Sequence, residues 1–203
     1  MVDIAHGIDS CEHLSMPERI EVETRMIGII KRRVCHGFAI TVNEADYVRI
    51  IGKRQSLYRD AYCKCLRLCV ESMTHWGDRY QWSGKVGFVF EAGHKSQSSA
   101  DAMMKEIFDN PLLRERHRYL QHSFADKPQV PGIQAADLLA WQWATDFKRR
   151  LNNKSSRADL LSLLDTPHSV MHFTERILED YRALADFLYG EGEFPNLATP
   201  MLL

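Results

Sequence analysis

Apolar positions along this chain alternate between two periods. Ile20, Met26, Ile27, Ile30 and Val34 recur at helical spacing, with polar residues between them. Ser15 followed by Glu18 is a helix-start signal, Pro17 suits a first turn, and Lys31, Arg32 and Arg33 sit where cations complement a helix carboxyl end. Gly37 is expected to stop that helix, and Phe38–Val42 then reads as a buried strand. Ser56–Trp76 reads as a long helix with Leu57, Ala61, Cys65, Leu66, Cys69 and Met73 inward. The clearest strand is "KVGFVFEAG", apolar and β-favouring, closed by Ala92-Gly93 with Glu91 at its carboxyl end.

Ser99–Asn110 is a further helix. Arg116–Asp126 is a weaker strand, in which Tyr119, Gln121 and Ser123 oppose Leu120, His122 and Phe124. The proline-bearing loop "KPQVPG" leads into a helix from Ile133 to about Arg150, and Ala158–Tyr189 reads as two more helices. Strands alternating with helices predict an α/β fold with a partly parallel sheet. The pattern divides into an α/β domain over 1–150 and a helical extension over 151–203 packed on it. Only three strands are visible, where a sheet usually has about five to six. The chain therefore reads as an N-terminally truncated fold that lacks its first strands.

Composition narrows the class. The 203 residues are 45% hydrophobic and 26% charged, with net charge −1, so no global field draws the chain to nucleic acid or membrane. No apolar run approaches the roughly 18–20 residues of a spanning helix, and the start "MVDIAHGIDSCEH" has no secretion pattern. The expected location is cytoplasmic, with no membrane partner. Cys11, Cys35, Cys63, Cys65 and Cys69 form no disulfide framework. In "CKCLRLC", Cys65 and Cys69 share a helix face that Cys63 does not, so reduced, unliganded thiols are expected rather than a zinc site.

Candidate chemistry centres on "QVPGIQAADLLAWQWA". Gln134 and Asp137 lie one turn apart on one face near a helix start, in a largely apolar setting. Two readings stand. Asp137 answers the helix dipole, or it enters a metal site at the carboxyl edge of the sheet. Glu91 likewise either faces water at its strand end or converges with Asp137 on one cation. Oxygen-only ligation selects magnesium or manganese. His94, Lys95 and Asp101 follow close behind Glu91, Asp101 fitting a surface acid at a helix start. His6 and Asp9 form either a site fragment or a solvated terminus. The basic runs at Lys31, Arg114 and Lys148 are solvated helix ends or, if they share a face, phosphate contacts.

The segments "VGFVFEAGHKSQ", "QVPGIQAADLLAW" and "HGID" together resemble the bacterial family known as domain of unknown function 3800, whose members are similar to the ribonuclease H fold. The resemblance spans about residues 4–145 and is most specific in "IQAADLLAW". Gln134 and Asp137 match the family's Gln-x-x-Asp, Glu91 an acidic position after a central strand, and His6 and Asp9 echo an upstream element. The family's first-strand Asp-Glu pair has no counterpart here, since no Asp-Glu dipeptide occurs in the chain.

The resemblance implies a ribonuclease H-like mixed sheet flanked by helices and metal-dependent phosphodiester hydrolysis, with nucleic acid as partner. Glu91 and Asp137 would hold the metal, His6 or His94 would assist proton transfer, and Gln134 would orient a ligand or water. Two metals about 4 Å apart clamp the reacting oxygens in such sites, so lack of the first-strand acids predicts weak metal binding and little activity. The alternatives are a non-catalytic scaffold or binding module and, less favoured, a hydrolase of a small phosphorylated substrate. A missing strand also predicts self-association through an open sheet edge near "FAITV" or "VGFVF".

Overall fold

The computed structural model describes residues 14–52 and 60–189. Their elements are, in order, α1 (Met16–Arg33), β1 (Gly37–Val42), α2 (Glu44–Ile51), α3 (Ala61–Arg79), β2 (Val86–Glu91), α4 (Gln97–Asp109), α5 (Pro111–Arg116), β3 (Tyr119–Ala125), α6 (Pro131–Leu151), α7 (Ala158–Leu163), β4 (His168–Phe173) and α8 (Glu175–Tyr189). A short 3-10 turn, Lys127–Gln129, leads into α6. The class is mixed α/β. Among the described residues the strands form two two-stranded sheets, β1 with β4 and β2 with β3, rather than one mixed sheet.

The chain divides into two compact units, each assembled from separated stretches. The first holds residues 1–39 and 131–169, the second 40–130 and 170–203. This differs from the expected consecutive split into 1–150 and 151–203. The physical reason lies in the tail: α7 packs on α1 and α6, whereas α8 packs on α2. The tail is also not two helices alone. Between α7 and α8 lies β4, whose Val170 and Met171 are exposed, so its apolar residues carry no burial alternation to reveal it.

Local chemistry accounts for the elements that position the chemistry. At the start of α1, the Glu18 carboxylate accepts from both the Ser15 N–H and the Ser15 hydroxyl at 2.7 Å, and these bonds lower its pKa. The helix already ends at Val34, whose N–H donates to Ile30 O. Gly37 is therefore not its stop signal. A Cβ at Gly37 would lie 3.1 Å from Leu139 Cδ2, so glycine lets α6 approach β1 closely. In α3 the buried stripe is Cys63, Leu66, Val70, Thr74 and Gly77. Cys65, Cys69 and Met73, expected inward, are only half-buried. Leu57 lies outside the described residues.

The second unit has an apolar and aromatic interior. Cys63, Leu66, Val70, Ala100, Met103, Met104, Ile107, Leu113 and Tyr119 form one cluster, with Tyr62, Phe88, Phe90 and Phe124 packed against it. Strand β2 runs parallel to β3, in register from Gly87↔Gln121 to Glu91↔Ala125. The register shifts between Val86 and Gly87, leaving Leu120 as an extra residue, 54% exposed. This bulge resets the alternation, so Tyr119, His122 and Phe124 all turn from solvent and the simple period-2 expectation fails. Nor is β2 buried on both sides: Phe88 and Phe90 are half-buried while Val89 is 47% exposed. A second cluster joins Tyr47, Ile50, Ile51, Phe173 and Leu178. Among the described residues, no helix is long and apolar enough to cross a membrane.

Candidate functional site

The carboxyl edge of β2 collects polar groups within the second unit. Glu91 is exposed there, with Lys127 Nζ 3.6 Å from Oε1, an ion pair longer than a hydrogen bond. After Glu91, the chain turns through Gly93, whose φ of +89° is a left-handed value that favours glycine. The Gly93 N–H then donates to Gln97 Oε1 at 2.8 Å. His94 stacks on Tyr62, with ring centroids 4.0 Å apart. Its Nδ1 accepts the Ser96 N–H at 3.1 Å, which leaves Nε2 as the protonated nitrogen of the neutral ring. Asp60 caps α3 by accepting from Cys63 N–H at 2.9 Å. Burial pushes the Asp60 carboxyl up, but bonds from Ser96 and Cys63 and the nearby His94 outweigh it and hold its pKa low. Burial raises the Tyr62 phenol, with the charges of Cys63, Glu91 and Asp60 acting in the same direction.

Lys95 pairs with Glu44 at 2.9 Å. Asp101 lies on α4, where it binds Lys105 at 2.6 Å and His122 Nε2 at 2.9 Å. Lys105 first and His122 second lower its pKa. Asp101 is thus a linking residue between α4 and β3 rather than a solvated helix-start acid. Asp60, Tyr62, Ser96 and Lys127 were not singled out from sequence. Asp60 directly before an apolar helix was the available signal, as a cap.

Gln134 and Asp137 belong to the first unit and are half-buried on α6. The helix begins at Pro131, earlier than expected, and its first turn holds no acidic residue. Asp137 therefore lies beyond the turn where the dipole acts, which weakens the dipole reading. His6 and Asp9 lie outside the described residues. Among the described residues, no group of three or more His, Cys, Asp and Glu side chains is arranged to hold a metal ion.

The more deeply buried polar groups of α6 come later in the same apolar run. Gln142 and Asp146 are 1% and 2% exposed. Gln142 Nε2 donates to Glu23 Oε1 at 3.0 Å and to Asp159 Oδ2 at 2.9 Å, tying α6 to α1 and α7. Arg157 Nε donates to both Asp159 oxygens at 2.9 Å, and its Cζ lies 5.2 Å from the Trp141 ring centroid. Desolvation and the neighbouring Asp159 raise the Glu23 pKa. Burial opposes ionisation of Asp159, but Arg157 and Gln142 hold its carboxyl well below the usual range. The two carboxylates titrate as a pair, with Glu23 keeping the proton longer. They line a groove of about 810 Å³ together with Ile20, Ile27, Arg157 and Ser162. Gln142, a polar residue inside the apolar run "LLAWQWATDF", was the sequence signal for this network.

Among the described residues no disulfide joins the cysteines: Cys35 is exposed, Cys63 buried, Cys65 and Cys69 half-buried. Burial pushes Cys65 up to about 12 and Cys69 up to about 11, opposite to what a reactive or metal-binding thiolate needs. Two basic runs are internal ties in part. Lys31 pairs with Asp165 at 2.7 Å, Arg149 donates to Ser155 O at 2.7 Å, and Arg150 lies 2.6 Å from Asp146. No family model, curated protein or solved structure matches the chain.

Proposed function

We propose that the chain is a ribonuclease H-like protein whose chemistry is metal-dependent phosphodiester hydrolysis, with Glu91 as a magnesium or manganese ligand and Asp137 keeping its proposed place as a metal ligand on sequence grounds. The observation that best supports this is the parallel pairing of β2 with β3, which ends in an exposed carboxylate, Glu91. Ligands of α/β folds sit outside the carboxyl ends of such strands. Glu91 fits a hard cation in kind, since its oxygens are open to solvent and Lys127 does not approach to hydrogen-bond distance. Magnesium commonly binds through one or two carboxylates, with water completing its shell. When bound, the ion supplies a Lewis acid to a phosphoryl oxygen.

The chain's own residues divide the remaining work. Glu91 and Asp137 provide anionic oxygen, Gln134 orients a ligand or water, and His94 offers the Nε2 proton that its Ser96 contact leaves available. His6 and Asp9 keep their proposed places, in proton transfer and binding, on sequence grounds. Nucleic acid is the proposed partner. Exposed Val89 and Leu120 on β2 and β3 support self-association. The ion pair of Glu91 with Lys127 favours a second reading, a binding module in which a lysine fills the cation's place.

Magnesium titration followed by calorimetry separates these readings. The hydrolase reading expects weak binding that Glu91→Gln and Asp137→Asn each abolish, together with slow magnesium-dependent cleavage of an oligonucleotide. Cleavage unaffected by both substitutions would remove these residues from the chemistry. Lack of magnesium binding and cleavage in the wild-type chain would leave the binding module.

A further inference from the structure

The end of α3 brings three aromatic rings together, Tyr80 and Trp82 exposed and Trp76 half-buried. Gln81 N–H donates to Asp78 O at 3.2 Å and Trp82 N–H donates to Gly77 O at 2.8 Å. These are the two bonds of a Schellman helix end, which needs left-handed backbone at the residue after the cap. Gln81 supplies it with φ 53°, uncommon for a residue other than glycine. The turn lays the Trp82 indole against the Gly84 backbone. A Cβ at Gly84 would meet the ring at 2.5 Å, so a side chain there would displace the indole. Trp76 lies 5.3 Å from Tyr80 and 6.1 Å from Trp82 between ring centroids. Tyr80 is 57% and Trp82 36% exposed. Large aromatic rings held rigidly in water are preorganised contact surface, because little side-chain freedom is left to lose on binding.

The charge around the rings is predominantly positive. Arg79 Cζ lies 6.0 Å from the Tyr80 centroid. Val86 N–H donates to Arg118 O at 2.7 Å, which brings Arg118, the last residue of the basic run Arg114–Arg118, beside the turn that carries Trp82 and Lys85. Segments 78–85 and 114–118 together carry five arginines and lysines against two carboxylates, in a chain of net charge −1. One of the two carboxylates, Asp78, is already paired with Arg118 at 2.6 Å. A partner matched to this surface presents flat unpaired π-faces and regularly spaced negative charge. An acidic peptide supplies the charge without the faces, and a duplex hides its base faces in its own stack. Single strands offer both, and aromatic platforms flanked by cations bind them with little regard to sequence.

We propose that the Trp76–Tyr80–Trp82 platform binds single-stranded nucleic acid, with bases stacked on Trp82 and Tyr80 and phosphates held by Arg79 and Lys85. The proposal does not depend on the hydrolase reading, since stacking and phosphate pairing require no metal. The test is therefore run in EDTA. The full chain is titrated with a ten-nucleotide oligothymidylate while intrinsic tryptophan fluorescence is followed. Binding with quenching is expected. Trp82→Ala should weaken it about tenfold or more and remove most of the quench, with an unchanged circular dichroism spectrum. The double variant Arg79→Ala/Lys85→Ala leaves the rings in place, so it reads the site even if Trp82→Ala disturbs the turn. It should reduce the slope of log affinity on log salt by about 0.7 for each phosphate that is no longer neutralised. Absence of quenching by the oligonucleotide overturns the proposal. So does equal affinity for a hairpin duplex or for heparin, or wild-type binding by both variants.

Discussion

The interiors of the two compact units differ in how their buried polar groups are partnered. The second unit buries hydrocarbon and rings, from Val70 and Met104, both 0% exposed, to the half-buried Phe88, Phe90 and Phe124, and its buried Thr74 hydroxyl is paired with His117 Nδ1 at 2.7 Å. The first unit buries Ile27, Leu160 and Leu163 beside Gln142 and Asp146. Several buried polar atoms there have no hydrogen-bond partner among the described residues: Gln142 Oε1, Trp143 Nε1, both Asp146 oxygens and Thr166 Oγ1. Arg150 is close enough to Asp146 for an ion pair, but not in a hydrogen-bonding direction. An apolar core is forgiving, because its attraction is non-directional. A polar interior succeeds only when each group finds a partner, and ordered water commonly completes it. The first unit is thus the place where a single polar change should alter how its helices associate.

The largest expected effect tests the apolar side of the contrast. Met104→Ala removes a fully buried side chain from the second unit's core and should cost about 2–5 kcal/mol in urea unfolding. A drop under about 1 kcal/mol would mean that this core is loosely packed.

The second unit also buries polar side chains, Lys64, Thr74, Ser96 and His117, and the first of them yields a pH prediction. Lys64 is buried on α3, with Tyr181 of α8 as hydrogen-bond partner. Desolvation lowers its pKa from 10.5 to about 8. Below about pH 8 both folded and unfolded chains carry this charge, and the folded state bears the burial penalty. Between about 8 and 10.5 the unfolded chain binds more protons, so stability rises with pH, by on the order of 3 kcal/mol in all. Lys64→Met should flatten that rise and raise the thermal midpoint at neutral pH. A stability that falls across this interval, in a variant-corrected comparison, would contradict the assignment.

Next come the polar ties of the first unit. Gln142→Ala removes the one amide that bonds both Glu23 and Asp159, and should cost about 1–3 kcal/mol, seen as faster hydrogen exchange in α1 and α7. The pair also sets opposing pH slopes. Asp159, with its pKa lowered, contributes stability above its unfolded value that is lost as pH falls through the folded value. Glu23, with its pKa raised, favours folding while protonated, and that contribution is lost as pH rises from its ordinary 4.5 through the raised value. Protection of α1, corrected for the intrinsic pH dependence of amide exchange, should therefore be greatest in mild acid. Glu23→Gln should abolish the loss on the alkaline side while keeping the loss on the acid side.

The smallest effect concerns reactivity rather than stability. Exposed Cys35 should alkylate with iodoacetamide well before Cys63, Cys65 and Cys69, as read by peptide mass mapping. Rapid labelling of Cys65 or Cys69 in the native chain would conflict with their raised pKa values.

Elements with strong local signals were legible from the chain alone. The Ser15–Glu18 start of α1, the β2 segment up to Glu91 and the bulk of α6 all follow from capping, β-branched and aromatic content, and helical period. These signals live within one turn or one strand, where neighbouring residues suffice to favour a conformation. Alternation failed at Leu120, because a bulge is chosen by the partner strand and not by the strand that carries it. Strand β4 escaped for a related reason: its pairing with β1 depends on residues more than a hundred positions away. The candidate residues Glu91, Gln134 and Asp137 stood out by chemical type and position. What each touches did not.

The sequence by itself therefore determined the alternation of helix and strand, the near-neutral charge of the chain, and the carboxylates and histidines available for chemistry. Tertiary structure alone decided which buried polar groups meet. Gln142 reaches Glu23 and Asp159 from 119 and 17 positions away. The short helix α7 joins α1 and α6 rather than the strand that follows it. Arg118 comes to lie beside the turn that carries Trp82 through its bond from Val86 N–H and its ion pair with Asp78. The physical reason is the same in each case. Secondary structure is governed by propensities and periods that act within a few residues, whereas a partner for a buried amide, a shared proton or an aromatic platform exists only after distant segments have packed, and no local pattern records where they will.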